Sequence, residues 1–295
     1  MSVGEDLQAF EAARPALLAL GYRMLGDLGR AEDIVQEAWL RWHEREVEVD
    51  APKAYLLKVV TRLCLNELDS ARSRREESRG DRLPEPVDLS AVALGKLEVL
   101  DHVSMAFLIM LQRLSPLERA VLLLHDVFDL EHSEIAELMH KSAPACRQLL
   151  RRARENVVTE RRALSTSREE HERLLQTFLN STNAGRVDEL LTVLSEDAVM
   201  IADGGPDGVR FAGVRNLPRP LHGKQKIVAF LSTVAKRYGN SFHARLCELN
   251  GQPALVTWHD GAVLAAILLQ VADGKIQGIF MQTDPARLLH LGPVS

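Results

Sequence analysis

The spacing of apolar positions divides the chain near residue 168. Upstream, apolar residues recur at helical intervals. In "AEDIVQEAWLRWH", Val35, Ala38, Trp39 and Trp42 fall at i, i+3, i+4 and i+7, while Glu32, Asp33 and Glu37 crowd the end where a helix dipole favours anions. In "PKAYLLKVVTRLCLNELDSARSRRE", Leu56, Val59, Val60, Leu63 and Cys64 form one stripe. Lys58, Arg62, Asp69 and Arg72 lie on another face, and Pro52 suits the first turn. Residues 7–68 therefore read as helices. "SRGDRLPEPVD", from Ser78 to Asp88, has no period and two prolines, which predicts a linker whose "LPEP" is extended.

Helical periodicity then resumes and runs to about residue 162. Ser115, Pro116 and Glu118 are spaced as N-cap, N1 and N3 of a capping box, so a helix is predicted from Pro116. A short helix fits Ser133 to Met139, and after the turn "HKS", Ser142 can cap a third. In that third helix Cys146, Leu149, Leu150, Ala153 and Val157 make the buried stripe. Arg147, Gln148, Arg151 and Arg154 are left opposite, with Arg152 at the edge.

Past residue 168 two periods mix. The helical "REEHERLLQTFLNSTNAG" and "RVDELLTVLSED" precede a strand, "AVMIAD", and a further helix in "GKQKIVAFLSTVAKRYG". "PALVTWH", "AVLAAILLQVA" and "KIQGIFMQT" then read as strands joined by the hairpin signals "DG" and "DGK". This predicts an α+β domain, helices packed on a curved, mostly antiparallel sheet.

At 295 residues the chain is long enough for two or three domains with their own cores. Its most apolar run is too short to span a bilayer and its N-terminus has no signal core, which reads as a cytoplasmic protein with no membrane contact. Cys64, Cys146 and Cys247 have no paired spacing and the ten histidines fall in no ligand motif, so no disulfide framework, metal or cofactor is expected. Charge changes the picture. The formal net charge of -5 lies wholly before residue 168 and alternates in sign: -6 over 1–50, +3 over 51–80, -7 over 81–140, +5 over 141–162. Two basic blocks in an acidic frame point to two polyanion contacts, with the acidic blocks left for another partner.

A short helix, a tight turn and an exposed Arg/Gln face form the pattern of a helix-turn-helix whose last helix enters a major groove. Arginine can read guanine bidentately and glutamine adenine, and the remaining arginines suit phosphates. The competing explanation is a salt-bridged surface helix. It requires neighbouring acids, and between 141 and 162 only Glu155 and Glu160 are acidic.

Taken together, "AEDIVQEAWLRWH", "TRLCLNELDSARSRRE" and "LSPLERAVLLLHDVFDLEHSEIAELMHKSAPACRQLLRRAR" resemble conserved regions 2 and 4 of extracytoplasmic function (ECF) sigma factors, over nearly all of residues 8–160. The resemblance implies two partners, core RNA polymerase and promoter DNA. By similarity, Asp33, Gln36, Glu37 and Trp39 would dock on the clamp helices of the polymerase's largest subunit. Arg62, Asn66, Arg72, Arg74 and Arg75 would meet the melted -10 element, where polar and basic side chains suit a captured single strand. Ser142, Arg147, Gln148, Arg151, Arg152 and Arg154 would contact the -35 element as duplex.

The tail narrows the resemblance. "FLNSTNAGRVDELLTVLSEDAVMIADGG" and "LHGKQKIVAFL" look like a SnoaL-like (NTF2-like) domain, as in sigma factors of the sigma-J type. The implied fold class is multidomain: two all-α sigma domains followed by an α+β SnoaL/NTF2-like cone. The implied boundaries are 1–77 for region 2, 78–104 for the linker, 105–162 for region 4 and 168–295 for the cone. "RLPEP", "DGGP" and "DPARL" are relatives of the family's WLPEP, DGGGK and NPDKL, with Arg82 in place of tryptophan, Pro206 in place of the third glycine, and Ala286 and Arg287 in place of Asp and Lys. A regulatory contact is thereby implied through Leu83, Pro84, Glu85, Pro86, Asp203, Gly204, Gly205, Asp284, Pro285 and Leu288. The expected function is promoter-specific initiation by a sigma factor under control of its own tail, with no catalytic residues. The alternative is a helix-turn-helix regulator whose cone senses a small molecule or acts as an enzyme. Catalysis there would draw on Asp203, Asp207, Asp260 and Tyr238 as base or donor. The sign of control, any ligand of the tail and the oligomeric state stay open.

Overall fold

The computed structural model describes residues 3–45, 47–75, 82–89, 104–158, 166–205, 210–211, 214–215, 217, 219–238, 243–259 and 261–291. It divides into two compact units: Met1–Arg79, Ser90–Val103 and Phe107–Thr159 form one, and Gly80–Leu89, Ser104–Ala106 and Glu160–Ser295 the other.

The first unit is helical: α1 (Val3–Leu25), α2 (Leu28–His43), α3 (Pro52–Arg75), α4 (Met105–Arg113), α5 (Pro116–Asp126), α6 (His132–Leu138) and α7 (Ala143–Val158). The first two residues of α4 group with the second unit. Asp27 caps α2 by accepting from the Arg30 amide at 3.0 Å, and the helix buries Leu28, Ala31, Val35, Ala38 and Trp42. Trp39 sits at the edge of that stripe, its ring 4.9 Å from that of Phe10. Helices α1 and α2 meet closely at Gly21, where an added Cβ would lie 3.1 Å from the Cβ of Ala31. A larger residue there would push the pair apart.

Helix α5 begins at Pro116 as its sequence predicts. The Ser115 side chain accepts from the Glu118 amide at 3.3 Å while Glu118 accepts from the Ser115 amide at 3.1 Å. All five positions of the expected α7 stripe are buried, and the Ala145 amide donates to Ser142 Oγ at 3.3 Å. Arg119, buried in this core, donates to the carbonyls of Leu111 (2.7 Å) and Met24. One guanidinium thus satisfies carbonyls in the last turns of α4 and α1, groups that a helix leaves without internal partners.

The second unit carries α8 (Arg168–Asn183), α9 (Val187–Val193), β1 (Leu194–Asp203), β2 (Arg210–Phe211), β3 (Val214–Arg215), β4 (Leu221–His222), α10 (Lys224–Tyr238), β5 (His243–Leu249), β6 (Gln252–His259), β7 (Ala262–Ala272), β8 (Lys275–Gln282) and α11 (Pro285–Leu288). Six strands run in the order β4-β1-β8-β7-β6-β5. Every neighbouring pair is antiparallel except β1 with β8. Leu174 and Phe178 of α8, Ile227 and Leu231 of α10, and Ile267, Leu269 and Ile279 of the sheet form one apolar core. Strand β1 begins four residues before the predicted "AVMIAD", and β5 and α11 have no counterpart in the sequence reading.

Candidate nucleic-acid interface

Arg147, Gln148, Arg151, Arg152 and Arg154 are all exposed along α7, with Ser142 at its start. They are not equally available. Arg154 forms a bidentate pair with Asp126 at the end of α5, at 3.1 and 2.5 Å. Arg152 lies 3.6 Å from Glu118 and Arg151 lies 3.5 Å from Glu155. Acids distant in sequence therefore neutralise part of a face whose own segment holds few. Arg147 has no carboxylate partner among the described residues, and Gln148 stands beside it. Burial pushes the Asp126 carboxyl up, but hydrogen bonds from Arg154 and His125 outweigh this and hold it below the ordinary value.

On α3, Arg62 and Asn66 are exposed. Arg62 donates from Nε and Nη2 to the carbonyl of Leu138, at 3.3 and 3.2 Å, and Nη2 lies 3.3 Å from His140 Nε2. Lys58 lies 3.6 Å from Glu137. The basic face of α3 is thereby engaged with the C-terminal end of α6, where unsatisfied carbonyls attract cations. Arg72, Arg74 and Arg75 occupy the last turns of α3, and their side chains lie outside the described residues.

On α2, Asp33 and Gln36 are exposed, while Glu37 and Trp39 are half-buried and Glu37 pairs with Arg41 at 3.0 Å. Leu40, 52% exposed on the same side, is an apolar knob that the sequence reading did not single out. Its signal was present: Leu40 falls off the buried stripe yet carries a large apolar side chain.

In the second unit, residues 83–87 form a strap buried against the tail. Asp203, the last residue of β1, accepts at Oδ2 from Arg82 Nε (3.1 Å), the Leu83 amide (2.9 Å) and Gln282 Nε2 (3.4 Å), and at Oδ1 from the Gly205 amide (2.9 Å). Arg82 also pairs with Asp284, whose other oxygen caps α11 at the Ala286 amide, 3.1 Å away. The Leu83 carbonyl accepts from Arg287, and Glu85 pairs with His290 at 3.2 Å. Asn250 accepts from the Val87 amide at 3.0 Å and returns its own N–H to the Val87 carbonyl at 2.8 Å. Gly205 has φ +82, and a Cβ there would lie 2.9 Å from the Asp284 carboxylate. Of the expected contact residues, Leu83, Glu85, Asp203, Gly205 and Asp284 come together. Pro84, Pro86 and Gly204 are buried, Leu288 is buried in α11, and Pro285 is exposed at its start.

Residues 9–74 match the family Sigma-70 region 2, and residues 104–157 match Sigma-70, region 4. The chain is 34% identical to the ECF RNA polymerase sigma factor SigJ of Mycobacterium tuberculosis, over 95% of this chain and 92% of that one. This chain belongs to the ECF sigma factors. It is thus an alternative sigma factor, a transcription initiation factor that works with RNA polymerase. It is also 31% identical to the probable ECF RNA polymerase sigma factor SigI of the same organism, over 95% of this chain and 93% of the relative. The crystal structure of the Mycobacterium tuberculosis SigJ superimposes with a TM-score of 0.75 at 29% identity, covering 98% of this chain and all of that one. The fold class agrees with expectation: helical sigma regions, then an α+β tail of the SnoaL/NTF2-like kind.

Among the described residues of the tail, the buried carboxylates are those of Asp203 and Asp284, and both are committed to the strap. Asp207 and Asp260 lie outside the described residues, as does the side chain of Tyr238. A cleft of about 660 Å³ lies beside α8, β5 and β6, lined by Arg168, Glu172, Arg173, Gln176, Cys247 and Glu248. Its Arg168 is already paired with Glu172 (3.0 Å) and Glu248 (2.6 Å). No helix among the described residues is long and apolar enough to cross a membrane.

Proposed function

We propose that this cytoplasmic sigma factor is held in check by its own tail, and that the tail is a protein-binding module rather than an enzyme. The observation that carries this reading is the strap: two buried aspartates of the tail grip Arg82 and Leu83 of the segment joining region 2 to region 4. In the proposed assignment, Arg147 and Gln148 read bases of the -35 element while Ser142, Arg151 and Arg152 contact phosphates. Arg154, tied to Asp126, braces the recognition helix. Arg62, Asn66, Arg72, Arg74 and Arg75 meet the -10 strand, and Asp33, Gln36, Glu37, Trp39 and Leu40 face the polymerase. Arg62 commits its Nε and Nη2 donors to the Leu138 carbonyl, which supports reading the described arrangement as the restrained one. The tail's buried carboxylates among the described residues, Asp203 and Asp284, are engaged by the strap, and the charged cleft beside α8 is already paired internally, which supports a regulatory role.

Promoter opening tests the reading. Thymine reactivity at the -10 element should appear only when the chain and core polymerase are both present, and the chain alone should bind duplex weakly. Tight duplex binding without core, and no opening with it, would assign a helix-turn-helix regulator instead.

A further inference from the structure

Two points of the segment joining regions 2 and 4, Val87 within it and Met105 just past its far end, are clipped to the same hairpin of the tail. At the first, Val87 exchanges hydrogen bonds with Asn250, the turn residue between β5 and β6, at 3.0 and 2.8 Å. At the other, the amide of Met105 donates to Gln252 Oε1 at 3.1 Å, at the start of β6. The Gln252 amide nitrogen donates in turn to the Leu269 carbonyl at 3.0 Å, which fixes the orientation of the side chain. Val87, Met105, Asn250 and Gln252 are all buried, so each clip is shielded from competing water.

We infer that Asn250 and Gln252 are positioning residues that set which -35 to -10 spacings this sigma factor accepts, by fixing how far regions 2 and 4 can separate. Asn250 and Gln252 are two residues apart, about 7 Å at most, so with the hydrogen-bonding arms added Val87 and Met105 stay within about 20 Å of each other. Unclipped, the same 18 steps of chain could extend to about 60 Å. Closing both clips therefore removes about 40 Å of reach, equivalent to about a dozen base pairs of duplex at roughly 3.4 Å each. The separation of the two DNA-contacting regions is then governed by the tail rather than by the length of the linker.

The inference rests on the sigma-factor reading, and its test separates the two. Holoenzyme formed from core polymerase and the full chain would be assayed on promoters whose spacer grows one base pair at a time. The variant Asn250→Gly removes the side-chain acceptor while keeping the backbone at its φ of 54°, a conformation glycine adopts without cost. It would be tested alone and with Gln252→Met. The expected result is at least a tenfold rise, relative to wild type, in the ratio of initiation from the longest to the shortest spacer. A companion experiment leaves both clips intact and inserts Gly-Ser residues between positions 90 and 103. The spacer profile should then stay unchanged, because the added chain lies inside the clipped loop. An unchanged profile in the double variant Asn250→Gly, Gln252→Met, or a profile that follows linker length in the wild-type tail, overturns the inference. No initiation on any template overturns the sigma reading and the inference with it.

Discussion

Replacing Arg82 with methionine keeps a straight side chain of similar reach and removes the one cation shared by Asp203 and Asp284. Those carboxylates are 4% and 8% exposed, while Arg82 is 26% exposed. Breaking a buried ion pair by removing one partner costs about 3–5 kcal/mol, because the other charge is left without compensation. Partial exposure of Arg82 places the expected cost at the lower end, about 3 kcal/mol, or about a hundredfold in the docking equilibrium of the strap. Hydrogen exchange reads this directly. The amides of Leu83 and Val87 donate to Asp203 and Asn250 at 2.9 and 3.0 Å, so they exchange only when the strap lifts. Both should exchange about a hundredfold faster in Arg82→Met than in wild type, while core amides of β7 keep their rates. Adding Asp203→Asn should restore part of the protection by removing a stranded charge, and the double-mutant cycle gives the coupling. Unchanged protection of Leu83 in Arg82→Met would mean that Arg82 does not hold the strap down.

Arg147→Ala and Gln148→Ala should each lose about 1–3 kcal/mol at particular -35 bases, whereas Arg154→Ala and Asp126→Asn should weaken specific and random duplex alike through a common loss of helix bracing; competition binding with holoenzyme on a panel of -35 variants separates these patterns. Leu40→Asp should lower affinity for core polymerase tenfold or more, read by titration of core with labelled chain, a loss larger than the modest destabilisation expected of an acid in the last turn of α2. His171 supplies a pH prediction. Burial pushes its imidazole down to about 4, so the unfolded chain binds its proton at an ordinary value near 6.5 while the folded tail does not. Its neutral form thus contributes stability that is complete above pH 6.5 and is lost as pH falls toward 4, by at most about 3 kcal/mol. Thermal melts of wild type between these pH values should show the decline, and His171→Leu should flatten it.

The helical part of the fold was legible because one period dominates it. In α7 the stripe Cys146, Leu149, Leu150, Ala153 and Val157 needs only the 3.6-residue repeat, and Ser115 with Glu118 marks the start of α5 chemically. Strand β5 was missed because "HARLCEL" alternates weakly and leaves most of its residues exposed or half-buried at the sheet edge. The site was legible as positions but not as partnerships. Motif resemblance pointed to Arg82, Asp203 and Asp284, yet the ion pairs join residues 121 and 202 apart in sequence. In the same way Asp126 neutralises Arg154 from 28 residues away, and Arg62 finds its acceptor 76 residues on. Such pairings are set by tertiary packing, which local pattern does not encode.

The most direct measurement is run-off transcription with core RNA polymerase, comparing the wild-type chain with Arg82→Met at matched occupancy of core. Initiation should depend on both promoter elements, and Arg82→Met should give a higher yield because it loosens the grip of Asp203 and Asp284 on the strap while leaving the Asn250 and Gln252 side chains in place. Absence of initiation by both proteins, or equal yields once hydrogen exchange has shown the strap to be loosened, would contradict this.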